Sequence, residues 1–378
     1  MPEEFLYPVN PDRTVPWNSL PELPIHPELS EQLDIYKQLG RAKEALALLN
    51  GRSIAIPNQG ILINAITLQE AKDSSAIENI FTTEDELYKA YSEDKANQPL
   101  TGTAKEVLRY REALWQGYHY LKKRQSFDDE YFIKVCNEIK ETTEGYRSPV
   151  SRIYIRTAGS SPNTGKPVYT PPRGKGVIEA KMQNLIGFLN GVIDEPDEPL
   201  IKLAIAHYQF EVIHPFNDGN GRTGRIMMIN YLCKEGLLDY PILFLSRYIM
   251  DHKQEYYDYL AGVSQRGDWK NWILYILKAI ENTSRLTFDK IQDILTAKED
   301  MLEIILKETS IRKPEDLVQA LFTQPFTKVN HLTDVGIYAE NTARDYLGKL
   351  VELRLVEKKE ISGKHYYLNT ELKRILAY

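Results

Sequence analysis

Apolar residues recur at helical spacing along most of the chain, and one stretch interrupts that rhythm more sharply than any other. Positions 200–213 form an apolar helical run, and positions 226–232 form another. Between them stands HPFNDGNGRTGR, residues 214–225, with the second helix beginning inside it. The same spacing predicts helices over 31–49, 62–80, 84–89, 103–121, 128–141, 177–190, 240–248 and 254–263. Ser30 is the expected cap of the first, and Asn50 with Gly51 its expected stop. A further helix over 266–280 has Asp268 as cap and Trp269, Trp272, Ile273, Ile276 and Ile280 on its inner face. Residues 1–29 are proline-rich and read as an extended arm anchored by Trp17 and Leu20.

Two regions depart from the helical pattern. Residues 146–176 are rich in Gly, Pro, Ser and Arg, while Ile153, Ile155, Val168 and Tyr169 have β character. They predict a hairpin turning across 158–166. Beyond a mixed-charge helical connector at 284–309, three short helices (314–322, 326–332, 340–355) precede two strands around Ser362 and Gly363. That order resembles a winged helix–turn–helix, a shape that binds DNA through its third helix. From Arg312 onward there are 11 Lys/Arg against 9 Asp/Glu, a weak phosphate footprint. DNA recognition, target-protein recognition and a plain packing module all stay open.

The interrupting stretch carries the chemistry. Its glycines allow a sharp turn, and the first N–H groups of the following helix favour an anion. Arg222 and Arg225, three apart, share roughly one helix face and suit phosphate recognition. Asp218 is a hard oxygen ligand suited to Mg²⁺ that bridges phosphates. His214 stands where it would accept a proton from an attacking hydroxyl. Phe216 is expected to face inward as a peg. No GxxxxGK[ST] string occurs, so this is not the usual nucleotide loop. His207 reads as core, and no metal-ligand spacing emerges among the 7 histidines.

Composition narrows the classes. The formal charge of −6 implies no bulk attraction to nucleic acid or anionic membrane. Cys136 and Cys233 suggest neither a disulfide framework nor a zinc site. No apolar run is long enough to span a bilayer, and the acidic, proline-containing start does not read as a signal peptide. A cytoplasmic protein without a membrane partner is the simplest expectation.

HPFNDGNGRTGR resembles the signature of the Fic domain family, His-x-Phe-x-(Asp or Glu)-Gly-Asn-Gly-Arg-x-x-Arg, at every position. The resemblance implies a protein adenylyltransferase that moves AMP from ATP to a Ser, Thr or Tyr hydroxyl of a protein substrate, itself included. It implies His214 as general base and Asp218 as the Mg²⁺ ligand. Gly219, Asn220 and Gly221 would form the anion hole, with Arg222 and Arg225 on the phosphates. Upstream, Ser74, Glu78 and Asn79 match the family's inhibitory pattern, (Ser or Thr)-x-x-x-Glu-(Gly or Asn). In that pattern the glutamate takes the second arginine, here Arg225, away from the ATP γ-phosphate. The predicted hairpin is similar to the family's flap, with Val168 and Tyr169 as target-docking positions by strand addition. Tyr256 and Tyr257 either line the base pocket or pack in the core.

The implied fold is mainly α: a Fic-type helical bundle with a β-hairpin flap and a C-terminal winged helix–turn–helix. The layout would be an arm and helical region at 1–100, with the inhibitory helix around 65–80. A catalytic core at 101–283 would follow, with its flap at 150–175, then a connector at 284–310 and the winged helix at 311–378. A homodimer is a family expectation. Removal of AMP, another phosphate-containing donor, and a nucleotide-sensing winged-helix regulator are the competing readings.

Overall fold

The computed structural model describes residues 9–10, 12–25, 32–54, 59–92, 102–155, 167–193, 198–361 and 363–377. They fold mainly as helices, with one small sheet near the C-terminus. At the centre lie α7 (Pro199–Ile213) and α8 (Asn220–Lys234). Every residue of α7 from Leu200 to Ile213 is buried, which its near-continuous apolar sequence requires. Around this pair pack α4 (Thr103–Arg124) and α5 (Asp129–Lys140) against α8, and α6 (Val177–Leu189) against α7. The next layer has α2 (Gln59–Ile77) between α4 and α9 (Leu245–Asp251), and α1 (Leu33–Ile54) along α11 (Trp269–Glu308). The pieces α3 (Glu84–Ser92) and α10 (Lys253–Arg266) complete this part. Asp128 caps α5 through the Tyr131 N–H at 2.8 Å, and Asp268 caps α11 through the Asn271 N–H at 3.3 Å.

The arm is held as its composition suggests. Trp17 and Leu20 are buried, the Trp17 N–H donates to Thr170 O at 3.1 Å, and the Trp17 ring meets Tyr169 edge-on. Ile155 and Tyr169 form an isolated antiparallel bridge, in which the Val168 and Tyr169 N–H groups both reach Ile155 O. The expected turn at 158–166 and the Ser30 cap lie outside the described residues.

Several expected boundaries change. Asn50 and Gly51 do not stop α1, which runs on to Ile54. Asn50 instead turns its side chain outward to accept the Asp239 N–H. The helix expected over 240–248 begins only at Leu245, because Pro241 cannot donate to a helical ladder and 240–244 stays irregular. The helix at 266–280 and the connector at 284–309 are one helix of 40 residues, since Glu281, Asn282 and Thr283 contain no breaker. The boundary at 283/284 therefore falls inside α11.

After α11 come α12 (Pro314–Leu321), β1 (Phe326–Thr327), α13 (Val329–Thr333), α14 (Glu340–Glu352), β2 (Glu357–Ile361), β3 (Lys364–Leu368) and α15 (Thr370–Ala377). Phe326 and Thr327 were expected to open a helix. They pair instead with Leu368 and Tyr367, which gives the antiparallel order β1-β3-β2. The last helix is an addition to what the sequence pattern predicts. It packs Leu372, Ile375 and Leu376 inward against α11 and α2, and Lys290 donates to Ile375 O at 2.6 Å. Among the described residues, no helix is long and apolar enough to cross a membrane.

Candidate functional site

The site is the turn between α7 and α8. His214 ends α7 in the left-handed region, at φ 51° and ψ 59°, with its N–H on Phe210 O at 3.0 Å. A non-glycine residue there needs support from outside, and Arg147 supplies it. The buried guanidinium donates to His214 O at 2.7 Å, to Ile213 O at 3.3 Å and to Pro172 O. Inside the turn, Phe216 N–H donates to Asn220 Oδ1 and Asn220 Nδ2 donates back to Phe216 O, both at 2.9 Å. Phe216 is buried beneath them as the expected peg. Gly219 then takes φ 83°, a value that L side chains rarely adopt, and α8 begins. The N–H groups of Asn220, Gly221 and Arg222 precede the first closed bond of the helix, from Thr223 N–H to Gly219 O.

Burial sets the charge states. It pushes the His214 imidazole down to about 4, and Arg147 adds to the effect, so the ring is neutral at pH 7 and able to accept a proton. For Asp218 the loss of solvent is the strongest single influence and pulls upward, but the hydrogen bond and charge of Lys140, the Gly219 N–H and Arg222 together hold it below the ordinary carboxylate range. Its Oδ1 accepts the Gly219 N–H at 2.6 Å, and its Oδ2 lies 2.5 Å from Lys140 Nζ.

The two arginines do not act as one face. Both are buried, but Arg222 turns to Glu106 of α4 at 3.3 Å while Arg225 turns to the end of α2. There Arg225 Nε donates to Ser74 Oγ at 2.8 Å, and its Nη2 reaches Ser74 O at 2.9 Å and Glu78 Oε1 at 2.8 Å. Burial is the strongest single influence on this guanidinium and lowers it, but Glu78, Tyr256 and Tyr110 together keep Arg225 above its ordinary value. Gly221 leaves room for the contact, because a Cβ at that position would lie 2.3 Å from Glu78 Oε1. The helix expected over 62–80 stops at Ile77. Glu78 and Asn79 form the turn after it, with Asn79 at φ 62°.

The remaining residues singled out from sequence are placed as follows. Tyr256 is fully buried, with its hydroxyl 2.9 Å from His207 Nε2 and its ring against Trp272 and Tyr275. Tyr257 packs beside it and is half-buried. The Tyr169 side chain is buried with its hydroxyl on Val212 O, while Val168 stays half-buried. Sequence reasoning missed Arg147, Lys140, Glu106 and Glu211. The Glu211 carboxyl is pushed up to about 8 by burial, and a Cβ on Gly224 would lie 2.4 Å from its Oε1. Only one of these had a legible signal: Glu211 stands one helical turn before His214 in an otherwise apolar run.

The donor set suits Mg²⁺. Asp218 is a single hard-oxygen ligand whose side chain keeps 66% of its exposure, beside the open end of a helix. Among the described residues, no group of three or more His, Cys, Asp or Glu gathers to cage a metal. Mg²⁺ retains waters and binds through one or two carboxylates plus substrate phosphates, which is what this arrangement offers.

Comparison with known proteins bears on both fold and site. Residues 127–232, which include the whole turn, match the family described as "Fic/DOC family". Residues 36–119 match "Fic/DOC family N-terminal", and 303–372 match "Protein adenylyltransferase SoFic-like, C-terminal domain". A protein adenylyltransferase of Culex quinquefasciatus is 36% identical over 112 residues, which cover 30% of this chain and 21% of that protein. One of Caenorhabditis elegans is 30% identical over 153 residues, which cover 40% of this chain and 28% of the relative. The matched segments thus span less than a third of either relative. A Fic family protein from Desulfovibrio desulfuricans shares the fold with TM-score 0.52 and 18% identity, over 92% of this chain and 98% of its own. A Fic fragment from Caenorhabditis elegans does so with TM-score 0.50 and 18% identity, over 67% and 71%.

Proposed function

The chain belongs to the Fic/DOC family, and from that premise we propose that it transfers AMP from ATP to a hydroxyl of a protein. The observation that carries this reading is a neutral His214 next to the bare amides of α8, with Arg222 and Arg225 behind them. His214 takes the proton from the target hydroxyl. The freed oxygen attacks the α-phosphorus, and pyrophosphate leaves. The amides of Asn220 and Gly221, with Gly219 shaping the turn and Arg222 alongside, hold the phosphate oxygens as charge moves. Asp218 would hold Mg²⁺, which neutralises phosphate charge when bound. The segment 150–175, which holds Val168 and Tyr169, would seat the target by main-chain pairing; because the N–H groups of those two are on Ile155 O, its remaining edge would carry the pairing.

Glu78 keeps the site at rest in this reading. Its carboxylate occupies the Arg225 fork that a γ-phosphate would use, and a guanidinium serves one such anion at a time. The layout that accompanies it is a catalytic unit over 101–283 and a winged-helix module over 311–378, joined through α11. The order of α12, α13 and α14 before the β2–β3 pair supports that module.

The test is labelling with α- and γ-labelled ATP and Mg²⁺. Glu78→Gly is expected to raise transfer of the α label onto itself or lysate proteins by on the order of tenfold or more, since it removes a charge-assisted bond to Arg225. The γ label should not follow. Adding His214→Ala should bring transfer back to background. A folded Glu78→Gly chain that labels nothing would end the adenylylation reading, and an unaffected His214→Ala rate would end the base assignment.

A further inference from the structure

Lys140 occupies a position that the proposed chemistry leaves unexplained. It is the last residue of α5, yet its side chain reaches across the start of α8. Its stem lies so close to Gly219 that a Cβ there would be 3.2 Å from Lys140 Cγ. Its ammonium sits 2.5 Å from Asp218 Oδ2. A helix N-terminus repels a cation and attracts an anion. The ammonium is therefore held against the local field, and Asp218 is what makes the placement tolerable.

The surroundings show what the lysine faces. It lines a 460 Å³ cleft that runs past Asn79, Ile80 and Glu106, and a second cleft of 210 Å³ that includes Asn217 and Asp218. Its side chain stands between the residues that follow Glu78 and the carboxylate suited to a cation. The other cations of the larger cleft, Lys105 and Arg109, both sit on Glu141, at 2.8 and 2.6 Å. Glu106 sits on Arg222. Lys140 is thus the cation placed directly on the carboxylate that a metal would use, and it is 27% exposed and on a flexible stem.

We propose that Lys140 is a positioning residue that stands in for the divalent cation at Asp218, offsetting that carboxylate's charge beside the phosphate site until a cation displaces it. This rests on the nucleotide-transfer reading above. In the resting chain, the ammonium holds Asp218 aimed at the mouth of α8. A divalent cation competes for the same oxygen, because two cations cannot share it closely without repulsion. Without the cation, the ammonium offsets the carboxylate beside the α8 amides, so phosphate oxygens meet less repulsion there. Lysine suits the task better than arginine does, as a compact charge with free rotation.

The experiment is calorimetric ATP binding to the full chain carrying Glu78→Gly, with Mg²⁺ and separately with EDTA, with and without Lys140→Gln. The lysine is expected to support metal-free binding, so Lys140→Gln should weaken the EDTA arm by on the order of tenfold. It should weaken the Mg²⁺ arm much less, so the enhancement by Mg²⁺ grows. Lys140→Arg should retain most of the metal-free affinity. Equal losses in both arms, or no loss in either, would overturn the proposal while leaving nucleotide transfer intact. If the Glu78→Gly parent binds no ATP in either arm, the nucleotide reading itself falls, and the lysine's role with it.

Discussion

The residue that best shows how burial makes chemistry here is Glu211. Its carboxyl lies beneath Gly224, near Arg225, with the neutral His207 one turn behind it. Burial pushes His207 down to about 3, so neither member of this pair carries charge at pH 7. For Glu211 the folded value, about 8, lies above the ordinary 4.5. The folded chain therefore binds the proton more tightly than the unfolded chain does. The resulting stability is complete below the unfolded value and is lost as pH rises toward 8, by up to about 1.4 kcal/mol per pH unit. Glu211→Gln should flatten the fall in unfolding midpoint between pH 5 and pH 8, as followed by thermal melting, because an amide has no proton to lose. Coincident profiles for the two chains would mean that Glu211 is ionised in the fold. The sequence showed a carboxylate in an apolar run, but it did not show which polar atoms would be left facing it.

At the scale of elements, the end of α2 is the informative case. The pattern that ends Glu-(Gly or Asn) has a physical cause: the last residue adopts φ 62°, which Asn and Gly tolerate and β-branched residues do not. Asn79→Gly should keep the turn. Asn79→Val should cost about 1–2 kcal/mol in urea unfolding and release Glu78 from Arg225, which would appear as increased AMP labelling. If Val behaves like Gly in both measurements, the turn does not position Glu78. Helical periodicity located α2 but ran it past its end to Ile80, since Ile77 and Ile80 fit an apolar stripe equally well. The stop comes from the left-handed Asn79, a backbone state that spacing does not reveal. In α11 the opposite happened. Two helices are expected where one runs, because the polar stretch from Glu281 to Thr283 looks like a break, whereas Thr283 is buried and donates its hydroxyl to Ala279 O within the helix.

Across the whole molecule, the C-terminal segment returns to the helices that frame the site. β3 reaches β1 through Leu368 and Phe326, and α15 lies against α11 and α2. Lys373 meets Asp85 of α3 at 2.6 Å. Ending the chain after Asn369 would remove Leu372, Ile375 and Leu376, each buried and each worth about 1.5–3 kcal/mol of burial before ordering costs. The truncated chain is expected to unfold at lower urea concentration. An unchanged midpoint would show that α15 adds nothing to the helical body.

The sequence alone determined the helical class, the turn at 214–225 and the kind of chemistry its residues support. Those depend on local spacing and on residue types within one short stretch. Tertiary structure decided the partners: Glu106 for Arg222, Lys140 for Asp218, Arg147 for the carbonyl of His214, and Glu211 beneath Gly224. Glu106 and Lys140 come from helices distant in the chain and Arg147 from a distant loop, and their pairing is set by how the elements cross, which no local pattern encodes.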